Sequence, residues 1–329
     1  LDVLTGAGEV VTASPTQHTD LFRGFPNSYG TLGYATRLRI ELAPVSQYVA
    51  LRHVRFADPE RCCEALAQIL RDRAWGGEPV DFLDGVMFDV GELYLTLGRW
   101  TDGPAQPSDY TGQRIYYRSL REHMTDVLTA YDYLWRWDTD WFWCSRAFGA
   151  QHPLGRRLWP RRWRRSDVYH RIVRLENRYQ VMARIDRRRG RPPQERVVQD
   201  VEIPIEQTPQ FLRWFAGGVG MAPVWLCPLR LRDAEGWTLY PLEPDRDYVN
   251  VGFWGTVPRR AGSADGDVNR AIEHRVAHLG GHKSLYSDAY YSPAQFWAAY
   301  GGDSYGALKQ RYDPDGRLLD LYRKVVERA

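Results

Sequence analysis

Short runs in which polar and apolar residues alternate recur along the chain, and this period of two is typical of strands with one buried face. Near the start, two such runs are joined by a Gly-containing turn, which predicts a hairpin over 4–12. The runs that predict further strands are 37–42, 48–56, 82–87, 92–100, 197–204, 224–231 and 248–255.

Helices are predicted where apolar residues recur every three to four positions after a capping residue. Asp58 followed by Pro59 is typical of such a start, because proline suits the first helical position. The strand–helix–strand–strand order over 48–100 is typical of an α+β fold with an antiparallel sheet. Residues 138–166 are predicted to be irregular, and 187–193 resembles a linker. The predicted helices are 58–73, 120–134, 267–279 and 318–326, with two more opening at Thr208 and Ser292.

Composition limits the function classes. The 329 residues suffice for one large or two medium domains, and a net charge of +3 gives no reason to expect nucleic-acid binding. Cys62, Cys63, Cys144 and Cys227 lack metal-site spacing, so we expect no metal, reduced thiols and an intracellular setting. No apolar run approaches the roughly 20 residues that cross a bilayer.

A glycine-rich loop follows the predicted hairpin. Gly24, Gly30 and Gly33 allow a tight bend and a close approach of the backbone to a ligand. Such a loop feeding a strand could form one wall for a large flat cofactor, although glycines at this spacing also occur in ordinary turns. The hydroxyl side chains around these glycines, which could reach polar atoms of a cofactor, are Ser28, Thr31 and Thr36.

The full string from Asp20 to Thr36 is more specific than its glycine spacing. It reads Asp-Leu-Phe, then Pro-x-Ser before a glycine, then Gly-Thr-Leu-Gly and a threonine. This string resembles the second half of the PCMH-type FAD-binding domain of the vanillyl-alcohol-oxidase-type flavoproteins, in which the loop lines the flavin. The resemblance implies FAD as a cofactor. The residues that it places against FAD are Ser28, Gly30, Thr31, Leu32, Gly33 and Thr36.

The glycine-rich pyrophosphate loop of these flavoproteins lies upstream of the matching string, and this sequence starts at Leu1 without it. We therefore expect the N-terminal half of the FAD domain to come from elsewhere, either in cis from a longer protein or from a separate chain.

Five segments in the second half resemble the delta-24-sterol reductase branch of this superfamily. That branch uses FAD and a nicotinamide donor, NADPH or NADH, to reduce a carbon–carbon double bond in a lipid. The resemblance implies as substrate a sterol side chain or a methylene-branched fatty acyl chain. The segments are Val198-Gln-Asp-Val-Glu-Ile-Pro204, Pro223-Val-Trp-Leu-Cys-Pro228, Tyr286-Ser-Asp-Ala-Tyr290, Phe296-Trp297 and Tyr322-Arg-Lys-Val325.

The resemblance also implies a division of the chain. Residues 1–46 would form the second half of the FAD-binding domain. Residues 47–290 would form an antiparallel-sheet substrate or cap domain, with a Trp- and Arg-rich insertion at 138–166. Residues 291–329 would return to the FAD domain as helices.

Reduction of an alkene requires hydride at one carbon and a proton from a positioned acid at the other. In the strand 197–204, Asp200 and Glu202 lie on the same face, where two partly buried carboxylates would raise each other's pKa and leave one group protonated. Asp288 is a second candidate acid, with Tyr286 and Tyr290 as relays. The alternatives are that the carboxylates pair with arginines and that Asp288 caps a turn.

Residues 141–165 combine tryptophan and arginine with no acidic residue. This composition suits the interface of an anionic bilayer, so we expect peripheral contact with the inner face of the cytoplasmic membrane. The alternative is a mobile lid whose arginines pair internally.

The sequence therefore predicts an FAD-linked reductase of a lipid double bond. One rival is an FAD-dependent oxidase or dehydrogenase of an alcohol or a sugar lactone. The other is a non-catalytic, membrane-associated fragment.

Overall fold

A computed structural model describes residues 1–103, 106–111 and 114–328, with every strand pair antiparallel among them. The strands are β1 Asp2–Thr5, β2 Val10–Thr12, β3 Gly33–Arg37, β4 Tyr48–Phe56, β5 Ala74–Trp75, β6 Glu78–Pro79, β7 Phe82–Asp89, β8 Glu92–Thr101, β9 Thr125–Thr129, β10 Gln194–Pro204, β11 Val224–Arg230, β12 Asp247–Pro258 and β13 His282–Lys283.

Eleven α-helices lie in the same described ranges. They are α1 Thr19–Gly24, α2 Pro59–Asp72, α3 Tyr116–Ser119, α4 Ala130–Trp135, α5 Pro153–Leu158, α6 Ser166–Tyr179, α7 Val181–Arg188, α8 Thr208–Gly218, α9 Asp267–His278, α10 Pro293–Ala299 and α11 Gly302–Tyr312. Shorter 3-10 turns occupy Cys144–Phe148 and Arg161–Trp163, and a π-helical turn occupies Arg323–Glu327.

Eight strands form the central sheet, in the order β13-β10-β12-β11-β7-β8-β4-β9. One face of this sheet is covered by α2, α8 and α9, because alternate residues of each strand are apolar and pack with the helices into a single core. On β10 the residues of this core are Val197, Val201 and Ile203. The opposite face therefore carries the intervening residues of the same strands.

A smaller sheet, in the order β2-β1-β3, lies with the C-terminal helices. Leu21 and Leu32 from the first part of the chain share a core with Phe296, Tyr305 and Leu321. Residues that are distant in sequence thus build one hydrophobic cluster around the glycine loop. This clustering is compatible with the predicted return of 291–329 to the N-terminal part, but the domain division stays a prediction.

Most predicted elements agree with the structure. The helix predicted from Asp58 is α2, and Asp58 caps it by accepting a hydrogen bond from the Arg61 amide at 2.8 Å. The helix predicted from Ser292 is α10, with Ser292 and Gln295 forming a reciprocal capping box. The mixture of helices with a large antiparallel sheet confirms the α+β class, whereas the assignment of its parts to an FAD-binding domain and a cap domain stays a prediction.

Four predictions were wrong, wholly or in part. The strand expected at 37–42 is β3, which ends at Arg37, where its pairing with Asp2 of β1 ends. The helix expected at 120–134 is interrupted by β9, whose Thr and Val residues pair with the edge of β4 instead. The final helix is a short π-helical turn, and α7 extends into the predicted linker at 187–193.

Candidate active site

The face of the central sheet opposite α2, α8 and α9 carries buried and half-buried polar side chains at its β10–β12 end. Asp200 on β10 lies opposite Gly252 on β12, and Glu202 lies opposite Asn250. Because alternate residues share a face, these positions all point away from the helix-covered core. Asp200, Glu202 and Asn250 each have one buried side-chain oxygen without a hydrogen-bond partner in the described structure. Such acceptors are unusual in a folded interior and indicate a place where a ligand binds.

Asp200 accepts a hydrogen bond from Tyr286, which in turn accepts one from Trp254. The Tyr286 hydroxyl donates to Asp200 Oδ2 at 2.6 Å, and Trp254 Nε1 donates to the same hydroxyl at 3.0 Å. Burial raises the pKa of Asp200 to about 6, although its hydrogen bonds from Tyr286 and Trp254 act in the opposite direction. Tyr286 is half exposed while its hydroxyl points inward. It therefore connects the buried carboxyl with the open side of the site.

Glu202 is the more deeply buried carboxyl. Its Oε1 accepts hydrogen bonds from Ser284 at 2.8 Å and Tyr240 at 3.2 Å, and His282 Nε2 lies 3.4 Å from its Oε2. Burial raises the pKa of Glu202 to about 8 and lowers that of His282 to about 4. Both groups are therefore neutral at pH 7. The expectation that one carboxyl of the pair keeps its proton agrees with this geometry, and burial is the main cause.

The edge strand β13 brings these partners to β10. Its register places His282 beside Glu202, and the Ser284 amide donates to the Asp200 carbonyl at 2.9 Å. On the other side of this strand, Lys283 is fully buried and its ammonium lies 3.1 Å from Glu273 on α9. The ion pair anchors the segment that carries both Ser284 and Tyr286.

Tyr29 links the glycine loop with this segment. Its hydroxyl accepts a hydrogen bond from the Leu285 amide at 3.1 Å, and burial raises its pKa to about 12. Asn27, Tyr29 and Gly30 all have positive φ angles, of 67°, 51° and 76°, so the loop is sharply bent here. The predicted flavin loop and the buried carboxyls thus belong to one neighbourhood.

Two of the six predicted cofactor residues have surface exposed to solvent, and four are buried. Gly30 is half-buried and Thr36 is exposed, so both have surface available to a cofactor. The other four lie behind the loop surface: Thr31, for example, donates to the Ser28 carbonyl at 2.7 Å, and Lys309 donates to the Thr31 carbonyl at 2.8 Å. Their contact with FAD stays a prediction. These four buried residues are Ser28, Thr31, Leu32 and Gly33.

A further candidate acid and its relay lie in a different environment. Asp288 is ion-paired with Arg196 at 2.9 Å and with Arg328 at 3.1 Å. The Tyr290 ring lies beneath the guanidinium of Arg270, at 5.1 Å. Both carboxylate oxygens of Asp288 are thus engaged by arginines. The structure therefore favours the Asp200 neighbourhood over Asp288 and Tyr290, whose catalytic roles stay predictions.

Aromatic side chains form a wall beside the carboxyls. Trp254 packs against Phe142 and Trp143, with ring centroids 4.5 and 5.4 Å apart. Trp225 lies 5.5 Å from Phe142 and turns its indole nitrogen towards Asp84. The inner side of the Trp- and Arg-rich segment 141–165 therefore covers part of the sheet face opposite α2, α8 and α9.

Some of the arginines of 141–165 make contacts within the protein. Arg156 is buried in an ion pair with Asp140, and Arg164 is buried with its guanidinium on the Trp159 carbonyl. Arg161 pairs with Asp109 at 2.8 Å near the surface. This pairing agrees with the alternative of a covering segment, and membrane contact by these residues stays a proposal.

Several site residues were not among the predicted ones. Glu202 was predicted as the partner of Asp200, and Tyr286 as a relay for Asp288 rather than for Asp200. Tyr29, Tyr240 and Asn250 carried no signal of their own. A glycine did give a signal: Gly252 interrupts an apolar strand, and such a glycine marks a close approach.

Comparison with known proteins confirms the resemblance to the delta-24-sterol reductase branch. No family model matches the chain. Delta(24)-sterol reductase of Homo sapiens is 26% identical over 343 aligned residues, which cover 100% of this chain and 63% of that protein. The Delta(24)-sterol reductase homolog of Caenorhabditis elegans is 24% identical over 95% of this chain and 60% of its own length. The chain thus spans somewhat less than two thirds of these curated relatives.

A second similarity is local. Cytokinin dehydrogenase 5 of Oryza sativa subsp. japonica is 35% identical over 126 residues, or 37% of this chain and 22% of that protein. Among the described residues, no helix combines the length and the apolar character needed to span a membrane.

Proposed function

We propose that the complete protein containing this chain is an FAD-dependent oxidoreductase that uses NADPH or NADH to reduce a carbon–carbon double bond in a lipid. The observation that carries this proposal is the carboxyl pair of half-buried Asp200 and buried Glu202, connected through Tyr286 to the open face and adjacent to the glycine loop. The whole-chain similarity to Delta(24)-sterol reductases supports the reaction class.

The chain's own contribution is the proton. A protonated Asp200 would pass its proton to the Tyr286 oxygen while Tyr286 gives its hydroxyl proton to one alkene carbon. Their separation of 2.6 Å is within the reach of such a transfer. Glu202 stays neutral up to a pKa of about 8, so no second negative charge lies beside Asp200 at neutral pH. Solvent would then restore the proton on Asp200.

The hydride for the other alkene carbon would come from FAD that the nicotinamide donor has reduced. The glycine loop supports a flat cofactor because the chain bends at Tyr29 and Gly30, and half-buried Gly30 lies next to Tyr34 and Lys324. A Cβ at Gly30 would lie 3.2 Å from the Tyr34 ring and 3.4 Å from Lys324 Nζ, so a side chain would occupy that space. The pyrophosphate-binding half of the FAD domain would be supplied in cis or by another chain.

A lipid suits the aromatic wall better than a sugar does. Trp225, Trp254, Phe142 and Trp143 present apolar ring surface, and their few polar atoms are already hydrogen-bonded or turned away. A methylene-branched acyl chain or a sterol side chain could bury apolar surface there without leaving hydroxyl groups unpaired.

The test is reduction by the complete protein, given a nicotinamide donor and an unsaturated sterol or methylene-branched acyl lipid. We expect a product that has gained two hydrogens. Asp200→Asn should lower turnover roughly 10²–10⁴-fold, whereas Asp288→Asn should change turnover little and serves as the matched control. Flavin reduction by the nicotinamide should continue in both. Equal losses in the two variants would contradict the assignment of Asp200.

The rival function is oxidation of an alcohol or a sugar lactone. The local similarity to cytokinin dehydrogenase 5 favours it, as does a pKa of about 6, which leaves Asp200 mostly ionised and able to act as a base at pH 7. Oxygen-dependent peroxide formation from an alcohol, with no alkene reduction, would support this rival. A complete protein that retains no flavin absorbance would instead support the non-catalytic, membrane-associated alternative.

A further inference from the structure

Positive charge is concentrated in one part of the chain. Residues 161–191 contain twelve arginines and three acidic residues. The whole chain has 44 basic and 41 acidic residues, so the rest of the chain is left with 32 basic and 38 acidic ones. The small net charge of +3 therefore conceals a strongly basic segment attached to an acidic body.

This basic segment folds mainly as the helices α6 and α7, which meet at Gln180 in a left-handed conformation. The arginines of these helices are exposed, Arg174, Arg178 and Arg184 among them. Leu175, Tyr179 and Val181 expose 56%, 50% and 50% of their surfaces. Exposed apolar residues among arginines are unexpected on a surface that faces only water.

The preceding segment also carries exposed apolar side chains. Leu154 and Leu158 lie four residues apart on α5 and expose 68% and 82%, and Trp163 exposes 49%. Tyr169, fully buried on α6, stacks against Trp159 and Phe148, with centroids 6.0 and 5.6 Å apart. α6 is therefore packed onto the 141–165 segment, and the two form one body.

We infer that α5, the turn Arg161–Trp163 and the pair α6–α7 form a docking face for the surface of an anionic lipid bilayer. Arginines would meet the headgroups while leucine, tryptophan and tyrosine side chains enter the boundary with the acyl chains, as in helices that lie in the plane of the interface. The charge complementarity is specific to this part of the chain. A nucleic acid would match the arginines but would leave Leu154, Leu158 and Leu175 in water.

The expected membrane contact thus extends from residues 141–165 to the exposed helices α6 and α7. Arg156 and Arg164, within 141–165, are buried by internal contacts, whereas Arg174, Arg178 and Arg184 lie on the exposed helices. The inner side of the same body carries Phe142 and Trp143 to the aromatic wall of the site. The docking face does not depend on the reaction, so it can hold if the proposed function fails.

Vesicle flotation of the complete protein tests the inference. One set of vesicles contains phosphatidylcholine alone, and the other contains equal amounts of phosphatidylcholine and phosphatidylglycerol. We expect flotation only with the second set, and weaker flotation at high salt. The triple variant Arg174→Gln, Arg178→Gln, Arg184→Gln should bind about a hundredfold more weakly, since each basic residue contributes roughly a five-fold gain near an anionic surface.

A second variant tests the apolar contribution. Leu158→Ser combined with Leu175→Ser should also reduce flotation, and both sites are exposed, so folding should be preserved. Matched controls are Arg61→Gln with Arg71→Gln on α2, and Met124→Ser, which is 81% exposed elsewhere. The controls should float like the native protein. Absence of flotation with anionic vesicles would overturn the inference. So would binding of duplex RNA that depends on the arginines while the serine variant still floats normally.

Discussion

Gly252 stands directly opposite Asp200 across the β10–β12 pair, and a Cβ at position 252 would lie 2.4 Å from Asp200 Oδ1. The same Cβ would lie 2.7 Å from the ring of Trp254. The absence of a side chain at 252 thus makes room for both the carboxyl and the indole. This relationship explains why a glycine lies inside an otherwise apolar strand.

Gly252→Ala should therefore displace Asp200 and Trp254 and break their contacts with Tyr286. We expect a loss of about 1–3 kcal/mol of stability from overpacking, together with a much larger loss of turnover. Gly255→Ala on the same strand is the control, because its Cβ would meet only Met221, at 3.5 Å. Thermal unfolding and turnover would be measured for both. Native turnover in Gly252→Ala would show that Asp200 need not keep its place.

The protonation state of Asp200 gives a prediction for the pH profile. Its carboxyl must be protonated to act as an acid, so turnover should fall as pH rises through about 6, the pKa that burial confers. Glu202→Gln should leave this limb in place, and Asp200→Asn should remove it. A limb near pH 8 that disappears in Glu202→Gln would identify Glu202 as the donor instead.

Glu202 should also influence stability. Its pKa rises from 4.5 to about 8 on folding, so the neutral carboxyl stabilises the native state below pH 4.5, and this contribution is lost as pH rises through about 8. Glu202→Gln keeps an uncharged group of similar shape. We expect the native protein to lose a few kcal/mol relative to this variant between those limits. Urea unfolding at several pH values measures the difference, and parallel pH profiles would contradict it.

The glycine loop yields a test of flavin binding. Gly30→Val places a branched side chain at a φ of 76° and in the space beside Tyr34 and Lys324, so the complete protein should lose its flavin. Gly8→Val is the matched control, since Gly8 has a φ of 86° but lies in the β1–β2 turn, near Arg317. Flavin absorbance after gel filtration is the measurement. Full absorbance in Gly30→Val would exclude a flavin contact at this position.

Local sequence predicted those parts of the molecule that local chemistry determines. Asp58 and Ser292 predicted the starts of their helices, because a capping side chain bonds to backbone groups only a few residues away. The alternation along β10 placed Asp200 and Glu202 on one face correctly, because the geometry of a strand fixes it. The glycine string and the five segments indicated the family because each is a contiguous run of residues that can be compared directly.

The remaining parts depend on contacts between distant residues. The run after Arg37 alternates well, yet Leu38, Ile40 and Leu42 are exposed because no strand pairs with them in the described structure. The arginine that pairs with Asp288, Arg196, lies 92 residues away in sequence. The Tyr29–Leu285 hydrogen bond, which joins the loop to the site, spans 256 residues. No periodicity or spacing in the sequence carries that information.

The buried ion pair between Lys283 and Glu273 supports the last prediction. Lys283 is completely buried, and its ammonium also donates to the Asp288 carbonyl at 2.5 Å. Burial lowers the pKa of Lys283 and raises that of Glu273, while their mutual attraction acts against both shifts. Removing one partner alone should leave a buried charge without compensation.

Lys283→Met should therefore cost about 3–5 kcal/mol of stability. It should also lower turnover, because β13 positions Ser284 and Tyr286 beside the carboxyls. The double variant Lys283→Met, Glu273→Gln should recover much of the stability, since it leaves no unpaired charge. Arg213→Gln, which breaks the half-exposed pair with Glu60, is the control and should barely change the unfolding midpoint. If Lys283→Met were as stable as the native protein, the ion pair would not be what anchors this edge of the site.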